Sequence, residues 1–530
     1  MEASSRSSRP RQLLIGLDAA EWNLVYQWAR DGKLPNLHRL IKRGIRAKLS
    51  TTAAQLPDTV WTSLYAGMNP AKFTKYFYVQ YDARTMGLQH LPDDVIQCTP
   101  FWDYLSRAGV RVGVVDAPKF PLSRSLNGFQ LTNWGAHATK TARASNPESL
   151  LTEIESRFGS HPVIECDFVE DNPADHQRLR ERILYGVRLR GRVTRWLMQT
   201  QSWEVFFATF SEPHCIGHHF WHYMDPNYPR HPQTDSLGLA DTIEQVYRAI
   251  DEEIGEILSL AGEETLCMVF SSHGMGPLYH ASWHLPEMLG LLGYGRNNTG
   301  GVRAQISRNA RINPWRNLKR FIPVAVQCRI KSMLPRALQD QIHFLSYTGW
   351  RRWKGCRAFA VPNNDMVGAI RISVKGRDRH GLVNPGEEYR RVCREIADAL
   401  SELTDRDGGR RIVANVTITH EKFHGPYLDQ LPDLTVLWDQ SFRWQSLHSP
   451  RFGTLRVRQQ DSRTGSHTPH GFVLAAGPSV PAGVELTGYS TYDIAPTVLE
   501  AAGVPLPTGL DGRPVPIYSS VTMRDDARGR

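Results

Sequence analysis

Three short apolar runs, each closing on a polar residue and each leading into a new kind of segment, confine this chain to an alternating β/α architecture. The run "QLLIGLD" ends at Asp18, and "NLVYQWARDGKLPNLHRLIKRG" follows it with helix-like apolar spacing and a stop at Gly44. "WEVFFATFSEPH" leads into a histidine-rich stretch and then into "TIEQVYRAIDEEIGEILSLAG", which sets apolar residues on one helical face and acids on the other. "ETLCMVFSSHGMG" is a third strand that ends in polar residues and glycine. Strands separated by helices pair in parallel, because a parallel neighbour needs a long crossover. The expected fold is therefore α/β, a mostly parallel central sheet with helices on both faces.

From about Arg303 to Arg357 the chain changes character, with many Arg, Lys and Trp and few acids, as an inserted α+β cap region would. Its basic residues suit either a solvated face or a lid over an anionic substrate. "VGAIRISVKG" and "EEYRRVCREIADALSEL" then read as a strand and a helix, and "DLTVLW" and "GFVLAAGP" as further core strands. The expected division is a core over residues 11–295, the cap over 296–415 and the completion of the core over 416–520.

The net charge of +10 attracts anionic partners at long range, and no nucleic-acid reader motif accompanies it. No apolar stretch is long enough to span a bilayer, and "LLIGL" is too short for an export signal. Seven cysteines without a CxxC pair argue against a disulfide framework and against a cysteine zinc site, so a reducing cytoplasm is expected. Cys215 reads as a small packing residue.

In open parallel sheets ligands bind beyond the carboxyl ends of the strands, so the polar residues just after apolar runs are the ones to collect. These are Asp18, then His214 and His218, then Ser272 and His273; His467 and His470 stand just before a strand in "RTGSHTPHGFVLAAGP". Imidazole and carboxylate converging from distant segments suit a divalent metal.

The segments "IGLDAAEW", "GKLPNLHRLIKRG", "WTSLYAGMNP", "EPHCIGHHFWHYMDP", "SSHGMG", "GSHTPHG" and "STYDIAPTVLEAAGVPLPTGLDGRPV" span nearly the whole chain. In that order they resemble the alkaline phosphatase superfamily, and within it the type I phosphodiesterase and nucleotide pyrophosphatase branch. The resemblance implies two divalent ions and a hydroxyl nucleophile at a helix start. It assigns one ion to Asp18 and the Ser272–His273 pair, and the other to His214, His218 and His467. The metal it implies is zinc, one or two ions, with manganese or magnesium as alternatives. His219 and His222 match no ligand position and fall to the helix that follows.

Three departures lie in the site. His214 stands where the family's "DxxGH" segment has an acid, and Ser272 where "SDHG" has one, which leaves one ion three imidazoles and the other a poorer set. The family's usual nucleophile position is Pro57; in "LPDTVWTSLYAG", a helix capped by Asp58 and stopped near Gly67, Thr59 is the hydroxyl nearest the start. Thr59 is the expected nucleophile, with Thr62 and Ser272 as alternatives. The expected activity is metal-dependent hydrolysis of an anionic small-molecule phosphate ester, diester or monoester, through a phospho-threonine. A phosphomutase, a sulfate-ester hydrolase or a non-catalytic anion-binding relative are the alternatives, and the missing CxPxR element weighs against the sulfatases.

Overall fold

Nine strands form the central sheet of the computed structural model, in the order Val484–Ser490, Ile45–Ser50, His470–Ala476, Leu266–Ser271, Gln12–Leu17, Val205–Phe210, Val112–Val115, Gly128–Thr132 and Ala144–Asn146. The structure describes residues 10–135, 142–163, 172–295, 353–364, 366–406, 408–457 and 463–518. Five of the pairings are parallel, including all four between Leu266–Ser271 and Gly128–Thr132. His470–Ala476 runs antiparallel to both its neighbours, and Ala144–Asn146 closes the far edge antiparallel.

Alternate residues of a strand point to opposite faces, and here each face has its own core. Leu13, Ile15 and Leu17 pack with Phe206, Ala208 and Phe210 and with the helices Trp22–Arg30, Pro35–Arg43 and Thr242–Ala261. Leu14 joins Val205 and Phe207 on the other face, under the helices Val60–Ala66, Phe101–Arg107 and Ile494–Ala501. Burial on both faces accounts for the near-continuous apolar runs of the central strands.

The stretch before Gly44 is two helices rather than one, because Gly32 adopts φ 77° between Trp22–Arg30 and Pro35–Arg43. A second, antiparallel sheet joins Ala358–Ala360, Val367–Ile372, Leu434–Trp438 and Val413–Ile418, with the helix Glu387–Ser401 against its edge strand. "DLTVLW" thus belongs to this sheet and not to the central one, and the expected boundary at 415 falls inside the strand Val413–Ile418. An apolar strand carries no mark of which sheet it will join. Most of the basic segment Arg303–Arg357 lies outside the described residues, and with it the lid reading. No helix among the described residues is long and apolar enough to cross a membrane.

Candidate active site

The register of the central strands sets the site. Leu17 pairs with Phe210 and Gly16 with Phe270, so the residues that follow, Asp18, Ser211 and Ser272, leave the sheet at one level. The helix Glu212–Met224 starts at that edge, with Pro213 in its first turn, and carries all four histidines of its segment. This corrects the expectation that His219 and His222 belong to a following helix. His214 and His218, four residues apart, share one helical face. A two-stranded ribbon, Gly274–Pro277 against Gly465–Thr468, brings His467 over that face from nearly 250 residues away.

His214, His218 and His467 are all buried, and one ring nitrogen from each lies within 4.8 Å of the others. The Nε2 atoms of His214 and His218 are 3.3 Å apart, and Nδ1 of His218 is 2.8 Å from the carbonyl oxygen of Gly465. Both ring nitrogens of His467 are buried without a hydrogen-bond partner among the described residues. Burial, together with the nearby His273, His218, Lys119 and Arg463, holds His467 well below the usual histidine range and keeps it neutral. Buried and mutually close imidazoles, His467 among them held neutral, are the donor set of a divalent-cation site, so these residues fit the metal that the resemblance implies.

The other half of the site is Asp18 and His273, with His273 Nε2 4.0 Å from Asp18 Oδ1. Ser272 Oγ lies 2.9 Å from His273 Nδ1, and the Ser271 hydroxyl donates to the His273 carbonyl at 2.6 Å. The Ser272 hydroxyl is thus engaged in orienting the ring. Trp61 Nε1 donates to Asp18 Oδ1 at 2.7 Å. Burial pushes the Asp18 carboxyl up to about 6; Trp61 and Lys119 oppose the shift, and Glu212 adds to it. A bound cation reverses such a shift, because it favours the carboxylate.

Thr59 ends the short 3-10 turn Pro57–Thr59, and the α-helix Val60–Ala66 begins after it. Its hydroxyl donates to the Leu56 carbonyl at 2.7 Å and is 2.9 Å from the hydroxyl of Thr52. Thr52 opens the turn Thr52–Ala54, which packs against the strand of His467, and no feature of the sequence had marked it. Thr62 is buried within the helix. Asp58 is not the helix cap that was expected; it forms an ion pair with Lys119 instead.

A buried charged network, also unmarked in the sequence, supports the helix of His214 and His218. Glu212 in its first turn accepts from Arg190 Nε at 2.9 Å and lies 3.2 Å from His161 Nε2, while Arg190 also reaches Asp116 at 2.7 Å and the Gly135 carbonyl at 2.8 Å. Although burial alone would raise it, the Glu212 carboxyl is held down at about 2 by Arg190 and His161. Glu21 clasps the ribbon, accepting from Met275 N at 3.2 Å and from the Thr468 hydroxyl at 2.9 Å. His222 Nδ1 is 3.1 Å from the Thr464 hydroxyl, and burial, with Arg230 and neighbouring histidines, pushes it down to about 3. His470 is exposed on its strand. Cys215 is disulfide-bonded, which corrects the reading of it as a packing residue.

The model of the family "Type I phosphodiesterase / nucleotide pyrophosphatase" matches residues 12–468. No curated protein matches the chain. Among solved structures, murine ectonucleotide pyrophosphatase/phosphodiesterase 5, an inactive form in complex with AMP, shares 13% identity over 94% of this chain and 96% of its own, with a TM-score of 0.47. The human protein of the same name shares 12% over the same shares, also at 0.47. Phosphonoacetate hydrolase from Sinorhizobium meliloti, in complex with phosphonoformate, shares 13% over 94% of this chain and 96% of its own, at 0.49. With the family match running from the first strand of the sheet to the ribbon of His467, the chain belongs to the type I phosphodiesterase/nucleotide pyrophosphatase family and is a phosphoric ester hydrolase.

Proposed function

We propose that this protein hydrolyses a small anionic phosphate ester, a phosphodiester or phosphomonoester, with a divalent cation at His214, His218 and His467. The observation that carries the reading is the meeting of these three buried imidazoles within 4.8 Å from two distant segments. An all-imidazole set favours zinc over magnesium or manganese, which prefer oxygen donors. Asp18 and His273 would hold a second ion, more weakly, since they offer only two ligands. Bound cations of this kind polarise phosphoryl oxygens and lower the proton affinity of a hydroxyl they touch.

The residues prepare the site before any ligand enters. The Gly465 carbonyl accepts a hydrogen bond from His218 Nδ1, an arrangement that leaves the lone pair on Nε2. Trp61 holds Asp18 and Ser272 holds His273. Thr59 is the proposed nucleophile: its oxygen bonds to phosphorus as the ester P–O bond breaks, its proton ends on the departing alcohol, and water later cleaves the phospho-threonine to restore the hydroxyl and release phosphate. Thr52, 2.9 Å from Thr59 and on a turn packed against the strand of His467, is the second candidate for that attack.

The test is turnover of p-nitrophenyl phosphate and bis-p-nitrophenyl phosphate by the zinc-loaded protein. Thr59→Ala is expected to abolish turnover with zinc retained. Retained turnover removes Thr59 and moves the test to Thr52→Ala. A zinc-loaded protein that cleaves neither ester yet binds inorganic phosphate is an anion-binding relative and not a hydrolase.

A further inference from the structure

One ammonium group stands beside this site without belonging to the imidazole and carboxylate sets. Lys119 follows the strand Val112–Val115, whose neighbour in the sheet is Val205–Phe210, the strand leading to His214. Its backbone is left-handed, at φ 56°, in a non-glycine residue. Ala19 at φ 56°, Asp116 at φ 51° and Asn133 at φ 54° share that conformation, and all four lie just past the carboxyl ends of central strands. Such backbone costs of order 1 kcal/mol or more and clusters where side chains must be aimed. Lys119 is thus held in a strained turn at the edge that carries the site.

Its partner ties it to the proposed nucleophile. Lys119 Nζ bonds Asp58, the residue before Thr59, and 19% of the lysine side chain is exposed. Asp58 is its one hydrogen-bond partner among the described residues, so two of the three ammonium donors are available. Lys119 also acts electrostatically on both halves of the site, on Asp18 and on His467. A second buried pair, Lys75 with Asp93, adds a carboxylate whose charge favours the ammonium form of Lys119, as that of Asp58 does. The lysine therefore stays charged at neutral pH: burial opposes this, and Asp58, Asp18 and Asp93 outweigh it.

We infer that Lys119 is a substrate-binding residue, donating from its ammonium to a non-bridging oxygen of the phosphate ester while Asp58 holds the lysine in place. The inference rests on the phosphate-ester reading and deepens it. With Ser272 in place of a carboxylate, the Asp18–His273 side holds a cation poorly, and a lysine there provides positive charge that does not depend on the metal supply. Because a phosphomonoester carries more charge than a diester, Lys119 also favours the monoester.

The probe is inorganic phosphate, titrated by calorimetry into the zinc-loaded full-length protein, with zinc content measured on the same samples. Lys119→Met is expected to weaken phosphate binding about tenfold or more at unchanged zinc content, as loss of a charge-assisted hydrogen bond should. Lys119→Arg should recover part of it. Because Lys119→Met strands Asp58, the double variant Asp58→Asn, Lys119→Met is measured beside it and should show the same loss. Wild-type phosphate affinity in either methionine variant overturns the inference. So does a loss of phosphate binding that comes with loss of zinc, since Lys119 would then serve the metal centre. If the unmodified zinc-loaded protein binds no phosphate, the underlying phosphate-ester reading fails instead.

Discussion

The Nε2 atoms of His214 and His218 face each other at 3.3 Å, while the Gly465 carbonyl occupies the other nitrogen of His218. Two imidazole lone pairs at that distance repel unless a proton or a cation lies between them. Two zinc–nitrogen bonds of about 2.0–2.1 Å at a tetrahedral angle span about 3.3–3.4 Å, so the separation suits a shared ion. With His467, whose ring nitrogen lies within 4.8 Å of theirs, the three imidazoles would hold a divalent cation and leave it room for a further ligand.

Removing His467 should therefore disable the centre without harming the fold. His467→Ala leaves two imidazoles, and zinc affinity should fall by about 100-fold or more, read by competition with a chromophoric chelator. Zinc at about 100 times its dissociation constant should stabilise the unmodified protein by about 2.7 kcal/mol, and His467→Ala should show no such shift. An equal zinc-dependent rise in melting temperature in both proteins would remove His467 from the ligand set.

Gly465 offers a way to move the ribbon without touching a ligand. A Cβ there would stand 2.1 Å from the Gly217 carbonyl oxygen, a backbone atom of the helix of His214 and His218 that cannot give way cheaply. Gly465→Ala should push the ribbon from the helix, lengthen the bond to His218 and separate His218 from His467. Zinc affinity should drop by about 10–100-fold with the circular dichroism spectrum retained. Unchanged zinc affinity would mean that the ribbon relaxes elsewhere.

Arg190 neutralises two buried carboxylates at once, Asp116 and Glu212. Arg190→Leu strands both, and breaking a buried pair in this way costs about 3–5 kcal/mol. Urea unfolding at neutral pH measures it, and a loss below about 1 kcal/mol would show that the network carries little stability.

The same network predicts an acid limb. The Glu212 carboxyl sits at about 2 in the folded protein against 4.5 for the free side chain. The unfolded chain therefore binds a proton that the folded one refuses between those values. The stabilisation is complete above pH 4.5 and is lost as pH falls toward 2. Metal-free Glu212→Gln should show a shallower fall of unfolding free energy over that window. A slope equal to that of the unmodified metal-free protein would rule Glu212 out as its source.

Much of the candidate site was legible because of one regularity. In a parallel sheet the polar residue after each apolar run lies at the carboxyl edge, so Asp18, His214, His218, Ser272 and His273 stand out in the sequence, with His467 just before a strand in a loop that returns to the same edge. Thr59 was marked by helix grammar, which misread its neighbour: Asp58 pairs with Lys119, 61 residues away, instead of capping the helix. Thr52 carried no mark, because only tertiary packing sets its turn against the strand of His467.

The sequence by itself determined the strands, the helices and the edge at which chemistry gathers, since apolar periodicity is a local property that local conformation obeys. It could not determine that Leu434–Trp438 joins the second sheet, that one helix carries all four histidines of its segment, or that Arg190 meets Asp116 across 74 positions. Those outcomes depend on which buried charges find partners and which faces come into contact once the sheet has closed. No spacing along the chain encodes them, because the energies that select them exist only after packing has removed the water.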